Sequence, residues 1–206
     1  MIDSAKIDLG KEIAFLEKLT VQERGTDIKF LVNYVKSKEG LAGLKKVEAA
    51  LSKVGYQMPD VEKIGDLEWI PSSCPTIFMV ASVKVFNWQE SDLIELGKSA
   101  LAFHPLLRRF FIKYFLSLEK TFKKAVQIWP KQYSEGRVEI VKYEKQDQSI
   151  VVRLINFKKH PFICLFLQGV FIKIIETATG SRKVIGRETK CAFKGDPYHE
   201  FVFEWQ

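Results

Sequence analysis

The sequence predicts an α+β fold, with a helical N-terminal half followed by an antiparallel sheet that carries helices on one face. Two observations indicate this class. Up to Trp129, apolar residues recur mostly at helical spacing. After Gly136 the pattern becomes two pairs of short, β-rich segments around one long apolar helix. The predicted order is therefore hairpin, helix, hairpin, with the helix packed on the sheet.

Glycine and proline residues divide the N-terminal half into separate helices. The apolar segment 75–86 fits a helix or a strand by pattern alone. The last helix of this half is expected to stop before Pro130, because the residue before a proline disfavours helical geometry. Helices are predicted over 1–19, 28–40, 41–54, 91–103, 105–116 and 122–129.

The C-terminal half supplies the sheet. A helix over 160–179 is expected to begin at Pro161 and to end at Gly180, a residue type that commonly caps helices. We predict a helical N-terminal region over 1–98 and a ligand-binding α+β domain over 99–206. The four strands are predicted over 136–143, 149–157, 184–193 and 198–205.

Composition restricts the class of protein. The net charge of +7 is spread over the chain, so no basic stripe favours a nucleic-acid partner. The odd number of cysteines, three, cannot form a closed set of disulfides, and the start of the chain lacks a signal-peptide pattern. No apolar run reaches the ~18 residues typical of a membrane span. We therefore expect a cytoplasmic protein without a membrane span.

Four residues near the C-terminus have spacings that suit one tetrahedral metal ion. Cys164 lies near the start of the long helix, Glu188 and Cys191 in one strand, and His199 in the next. If the second hairpin turns about Gly195, Cys191 and His199 lie opposite each other on one face, with Cβ atoms about 5 Å apart. Zinc is bound by these ligand types, so the sequence predicts a zinc site.

Glu188 fits this site only under one condition. It precedes Cys191 by three residues, which in a regular strand places the two side chains on opposite faces. A β-bulge between them would correct the mismatch. The alternative is that both cysteines are small buried apolar residues and His199 is an exposed strand residue.

The same residues resemble the 4-vinyl reductase domain family. The matching segments are His160–Cys164, Glu188–Cys191 and Gly195–Phe201, and the likeness is clearest over 160–205. In phenol-sensing members of that family, two cysteines, a glutamate and a final cysteine bind zinc. The resemblance implies that Cys164, Glu188 and Cys191 take three of these roles and that His199 replaces the final cysteine.

The resemblance also implies a function, namely a sensor or regulatory protein that binds a small hydrophobic or aromatic ligand and carries structural zinc. Any signal would pass to a separate partner protein, and a homodimer is expected, partly because residues 93–122 offer much apolar helical surface. No flavin or nicotinamide fingerprint indicates an enzyme. The predicted pocket residues are His104, Phe110, Phe111, Trp129, Phe162 and Phe166.

Three alternatives remain open from the sequence. A TRAPP-like scaffolding module would have its cavity filled by side chains or a lipid. An enzyme accessory would act on a tetrapyrrole. A haem sensor would use His104 or His160, each directly before a proline, as an axial ligand.

Overall fold

The computed structural model describes residues 2–103 and 118–206 and divides into two compact units, Met1–Leu93 and Ile94–Gln206. The predicted α+β class is confirmed, because helices dominate the first unit and an antiparallel sheet organises the second. The predicted helix over 105–116 lies outside the described residues. So does much of the apolar surface on which a homodimer is expected.

Three helices and a short ribbon form the first unit. Short 3₁₀ helices at Ser4–Lys6 and Val61–Lys63 accompany them, and strands β1 and β2 pair antiparallel. The predicted first helix is shorter than expected, since regular α-helix is limited to Leu9–Leu16. The elements are α1 (Leu9–Leu16), β1 (Gln22–Arg24), α2 (Thr26–Lys53), β2 (Trp69–Pro71) and α3 (Ser73–Phe86).

Helix α2 is interrupted at the glycine that the sequence marked as a boundary. Gly40 has φ 72° and ψ 179°, a conformation that is strained for residues with a Cβ atom. The two predicted helices over 28–40 and 41–54 are therefore two segments of one kinked element.

Helix α3 resolves the ambiguity of segment 75–86. Every residue from Ser73 to Val83 is buried, so the helix is surrounded by protein on all sides. A helix that is buried all round shows no amphipathic period, which is why the sequence pattern could not separate it from a buried strand.

The second unit contains the four-stranded sheet, in the order β3-β4-β6-β5 with antiparallel neighbours. Helix α4 (Glu90–Phe103) begins in the first unit and continues into the second. The other elements are α5 (Leu118–Gln132), β3 (Arg137–Glu144), β4 (Ser149–Ile155), α6 (Pro161–Thr179), β5 (Val184–Lys190) and β6 (His199–Trp205).

Helix α5 does not stop before Pro130, as the sequence predicted, but continues to Gln132. Proline lacks the N–H that would bond to the carbonyl four residues earlier. Because Pro130 lies in the last turn of α5, its ring disturbs only the end of the helix.

Helix α6 packs against the sheet through aromatic rings. His160 caps its N-terminus, where Nδ1 accepts the Phe162 N–H at 3.2 Å, and Gly180 ends it in the left-handed region at φ 72°. Phe171 lies 5.8 Å from Phe201 and 5.9 Å from Phe203 between ring centroids. The predicted helix and both its ends are thus observed.

The composition of α6 would also allow it to cross a membrane. The helix has 19 residues and includes a window of mean hydropathy 1.7. The prediction that no apolar segment is long enough to span a membrane therefore does not hold for α6. Half of that window is buried inside the protein, as is common for the core helix of a globular domain. Among the described residues no other helix passes the same test of length and composition.

Helices α4 and α6 cross at two glycines. A Cβ atom on Gly97 would overlap the Phe166 carbonyl, and one on Gly169 would overlap the Ile94 carbonyl. The two backbones therefore touch where neither residue has a side chain, which fixes the position of α6 along α4 in this unit.

Candidate functional site

The four predicted metal ligands converge in the second unit. The Sγ atoms of Cys164 and Cys191, an oxygen of Glu188 and a ring nitrogen of His199 all lie within 4.8 Å of one another. Both cysteines and His199 are buried, and Glu188 is half-buried. We call these four residues the ligand cluster. In the described part of the chain no other group of three or more His, Cys, Asp or Glu residues is placed this way.

Separate elements position these side chains. Cys164 lies in the first turn of α6, and His199 is the first residue of β6. Cys191 directly follows β5 and precedes a 3₁₀ turn, where its N–H donates to Asp196 Oδ2 at 2.8 Å. The last observed pair between β5 and β6 is Lys190 with Glu200. Cys191 and His199, which were predicted to lie opposite each other, are the next residues along the two strands in that register.

The bulge that Glu188 requires is present in β5. The register shifts between Glu188, which pairs with Phe201, and Lys190, which pairs with Glu200. One residue, Thr189, is therefore extra, and the faces of the strand are exchanged beyond it. Glu188 consequently shares the buried face of the sheet with Phe201 and His199.

The hydrogen bonds of His199 decide which of its nitrogens faces the cluster. Nε2 lies 3.1 Å from the Phe157 carbonyl oxygen, which can only accept, so Nε2 carries the proton. Nδ1 accepts the Ala192 N–H at 3.4 Å and lies 3.0 Å from Glu188 Oε1 and 3.4 Å from Cys164 Sγ. A ligating histidine is commonly oriented by such a bond from its other nitrogen to a carbonyl.

The protonation of the cluster follows from burial and hydrogen bonding. Burial and the nearby Glu188 charge raise the pKa of the Cys164 thiol far above its usual range, and burial also raises the pKa of Cys191. Burial alone would raise the pKa of Glu188, but hydrogen bonds from the thiols of Cys191 and Cys164 hold it below its ordinary value. Two neutral thiols therefore surround one carboxylate.

This set offers one nitrogen, one oxygen and two sulfur ligands. Four protein ligands leave no open position for water or substrate, so the cluster is unsuited to metal-assisted hydrolysis. That the four residues bind a metal ion stays a prediction, because their proximity also suits a buried hydrogen-bonded network.

A cleft in the same unit was not foreseen. It lies between α5 and β3, with a volume of about 730 Å³, within the range usual for small-molecule sites. Its floor is apolar, since Phe122, Val138 and Ile150 are at most 2% exposed. The lining residues are Phe122, Lys123, Val126, Gln127, Val138, Glu139, Ile140, Val141, Lys142, Tyr143 and Ile150.

A second bulge shapes this cleft. The register of β3 against β4 shifts between Ile140 and Lys142, so Val141 is extra. Tyr143 then pairs with Ile150 on the buried face, while Lys142 pairs with Val151. Consecutive residues of β3 line one cleft because the bulge interrupts the alternation of the strand. The sequence showed no signal for this bulge, since Val141 and Lys142 fit a regular strand.

The predicted pocket lies only partly within the described residues. His104, Phe110 and Phe111 lie outside the described residues. Trp129 packs edge-on against Phe157 at 4.9 Å, and Phe162 packs against His160 at 4.5 Å. Beneath α6, where part of the pocket was expected, Phe171, Phe201 and Phe203 pack on one another. A space of about 10 Å³ adjoins the cluster, beside His160 and Ile163.

Comparison with known proteins identifies the fold but no family. No family model and no curated protein matches the chain. An H-NOX protein from S. oneidensis in its Fe(II)–NO state has 12% identity and a TM-score of 0.66 over 89% of this chain and 99% of that chain. An oxygen-binding H-NOX domain related to soluble guanylate cyclases, as its oxygen complex, has 14% identity and a TM-score of 0.59 over 89% and 95%.

Another similar structure is from work on modulating haem redox potential by porphyrin distortion, with 14% identity and a TM-score of 0.60 over 89% and 95% of the two chains. Identities this low show that the fold is shared and nothing finer. The chain therefore has the H-NOX type of α+β fold over nearly its whole length.

Two predictions are wrong in the light of these structures. The resemblance to 4-vinyl reductase domains is replaced by the likeness to H-NOX domains, because the latter extends over 89% of the chain rather than a few short motifs. Zinc as the structural cofactor is also wrong. The descriptions of the three similar structures mention Fe(II), oxygen, haem or porphyrin, and none of them mentions zinc.

Proposed function

We propose that this chain is a small-molecule sensor domain that binds haem in the cleft between α5 and β3. The observation that carries the proposal is the fold likeness to H-NOX proteins, one described in an Fe(II)–NO state and one as an oxygen complex. When bound, a ferrous porphyrin supplies an iron position that can take a diatomic gas.

The cleft fits the body of such a group. Val126 and Val141, which are 36% and 44% exposed, offer apolar surface to a large ligand, and about 730 Å³ is ample for one. Tyr143 and the two lysines of the lining provide polar groups at its wall. A cleft that is apolar with a few polar groups is the usual form of a cofactor site.

The axial ligand is assigned by elimination among the three histidines. His199 uses both ring nitrogens within the cluster and at Phe157. His160 is buried at the N-terminus of α6, where burial lowers its pKa to about 4 and Nδ1 accepts the Phe162 N–H. His104, which lies outside the described residues, is therefore the histidine that we propose as the iron ligand.

Haem titration of the purified chain tests this proposal. We expect a Soret band that saturates at one haem per chain. His104→Gly should lose the band, and added imidazole should restore it, which separates loss of a ligand from loss of folding. His160→Asn, which keeps a side-chain acceptor for the Phe162 N–H, is the matched control and should bind haem normally. A saturable Soret band that survives in His104→Gly without imidazole would remove the assignment.

The ligand cluster is proposed as a second, separate site in the same unit, one that binds a metal ion. Its support is the convergence of four ligand atoms within 4.8 Å and the fixed orientation of the His199 ring. The cluster and the cleft have no lining residue in common, so this proposal and haem binding can fail independently.

A further inference from the structure

Both residues of the β5 bulge are held on the face of the sheet opposite the ligand cluster, which we call the outer face. Thr189 and Lys190 together lie opposite Glu200, the arrangement of two residues against one that defines a bulge. Thr189 Oγ1 lies 3.1 Å from Glu200 Oε1, which can accept its proton. Lys190 Nζ donates to Tyr198 Oη at 2.9 Å and lies 5.0 Å from the centre of the Tyr198 ring.

Tyr198 is itself held on the outer face by a second cation. Arg153 pairs with Glu200 across β4 and β6, and its guanidinium lies 4.5 Å from the centre of the Tyr198 ring. Arg153 Nε also donates to Glu200 Oε2 at 2.7 Å, and the Glu200 side chain is only 12% exposed. A charged hydrogen bond that is shielded in this way contributes more than an exposed ion pair. Tyr198 therefore offers Lys190 a partner with a fixed position.

A regular register without the bulge would change what Lys190 and Cys191 face. Lys190 would then pair with His199, so its side chain would turn toward the buried face and that of Cys191 toward the outer face. The ammonium group would lose water at the buried face, and its hydrogen bond to Tyr198 would be broken. Both costs favour the observed register, in which Cys191 is 5% exposed and directed toward the cluster.

We propose that Lys190 and Tyr198 are positioning residues of the ligand cluster, because together they hold the β5 bulge in the register that directs Cys191 toward it. The inference rests on the proposed metal site, to which it assigns two residues that are not among the four ligands. Lys190 acts in two ways, since its bond to Tyr198 stabilises the observed register and its charge disfavours the regular one. Lys190→Leu would remove both effects.

Co(II) titration of the full chain and its variants tests the positioning. We expect Lys190→Leu and Tyr198→Leu to weaken Co(II) binding by about 10-fold or more, the range found when partners outside the ligand shell are removed. The sulfur-to-cobalt charge-transfer absorption should also fall, because Cys191 no longer binds the ion. Lys190→Arg keeps a long cationic donor that can lie against the same ring, and it should keep the affinity.

Arg187→Leu is the matched control. It removes a cation from the outer face of the same strand, two residues before Thr189, where Arg187 pairs regularly with Val202. The side chains of Arg187 and its ion-pair partner Glu204 are 57% and 51% exposed, so loss of the pair should cost little. Co(II) affinity should therefore stay unchanged. An equal loss of affinity in Arg187→Leu and Lys190→Leu would overturn the inference.

The reactivity of the cysteines separates this inference from the proposed metal site. In the metal-free chain, Lys190→Leu should expose one fast-reacting thiol to Ellman's reagent, because Cys191 turns toward the outer face, where Thr189 is exposed. The double variant Lys190→Leu/Cys191→Ser should lose that fast reaction.

The outcomes of the two measurements are distinct. If the unmodified chain binds no Co(II) but Lys190→Leu exposes the fast thiol, the metal proposal is wrong and the role of Lys190 in the register holds. If Co(II) binds and Lys190→Leu changes neither the affinity nor the thiol reactivity, the metal site holds and the inference is overturned. Absence of both Co(II) binding and the fast thiol would overturn both.

Discussion

At the scale of single residues, His199 determines what the ligand cluster can bind. Its Nε2–H is committed to the Phe157 carbonyl, so Nδ1 presents a lone pair beside the Glu188 carboxylate and the Cys164 sulfur. A lone pair and a carboxylate oxygen 3.0 Å apart repel unless a proton or a cation lies between them. The geometry is thus best satisfied by a shared positive charge.

Titration with Co(II) tests the cluster directly. We expect one Co(II) per chain with the intense visible absorption of a tetrahedral thiolate complex. Cys164→Ala should weaken binding by about 100-fold or more, because losing even an outer-shell partner costs 10- to 100-fold. Cys74→Ala is the control, since Cys74 is also a buried free thiol but belongs to the other unit. Equal Co(II) affinity in both variants would contradict the prediction.

Asp92 should make the first unit sensitive to acid. Burial alone would raise the pKa of this carboxyl, but hydrogen bonds from Lys38 Nζ and the Gln89 N–H, both at 2.8 Å, lower it below the ordinary 3.8. A lowered folded-state pKa stabilises the protein above pH 3.8, and this stability is lost as the pH falls through the folded-state value.

The Asp92→Asn variant measures that contribution. At pH 7 it should be less stable by about 1 kcal/mol, the usual net value of a partly exposed charged hydrogen bond. Urea denaturation at a series of pH values should show the gap closing below about pH 4, where the wild-type carboxylate becomes protonated. A gap that stays constant from pH 7 to pH 3 would show that the charge of Asp92 does not stabilise the fold.

At the scale of elements, the two bulges show how far the sequence could predict the site. The bulge in β5 followed from the ligands themselves, because Glu188 and Cys191 share a face only if one residue between them is extra. No candidate ligands in β3 required a bulge, so the sequence gave no reason to predict one there. The convergence of the ligand cluster was accordingly predicted from the sequence. The cleft between α5 and β3 was not predicted, and a pocket lined by aromatic residues was predicted instead.

The ends of α6 were predicted better than the secondary structure of buried α3. His160, Pro161 and Gly180 mark the two ends of α6 by local chemistry that depends on no other part of the protein. Buried α3 has no polar face, so its sequence pattern does not distinguish a helix from a buried strand. The choice depends on the surrounding elements, which a single sequence does not reveal. Pro130 misled the prediction because its cost depends on where in the helix it lies.

The crossing of α4 and α6 should tolerate no side chain. In Gly169→Ala, the new Cβ would overlap the Ile94 carbonyl and lie 3.0 Å from Gly97 Cα, so we expect a loss of about 2–3 kcal/mol in the free energy of unfolding. Gly10→Ala in α1 is the control, because its Cβ would meet nothing closer than Asp8 Oδ1 at 3.5 Å.

This control should be neutral or stabilising by up to about 1 kcal/mol, since alanine restricts the unfolded chain. Denaturant unfolding of both variants gives the comparison. Similar stabilities for the two would mean that the backbones of α4 and α6 do not meet closely in solution.

At the scale of the whole molecule, the zinc prediction came from a local motif, whereas the haem proposal starts from the overall fold. Segments of four to seven residues around Cys164, Glu188 and Gly195 carried the resemblance to a zinc-binding family. The fold likeness extends over 89% of the chain at 12% identity, which no short motif reveals. His104 was one of the two candidate axial ligands in the sequence, and it becomes the residue on which the proposed function depends.

The most direct test of the proposed sensor is the visible spectrum of the haem-loaded chain, reduced without oxygen and then exposed to nitric oxide. The proposal predicts a stoichiometric Soret band whose position shifts when NO binds at the iron, with a shift that is reversed when NO is removed. A chain that takes up no haem under these conditions, or whose haem spectrum is unaffected by NO, would contradict the proposal.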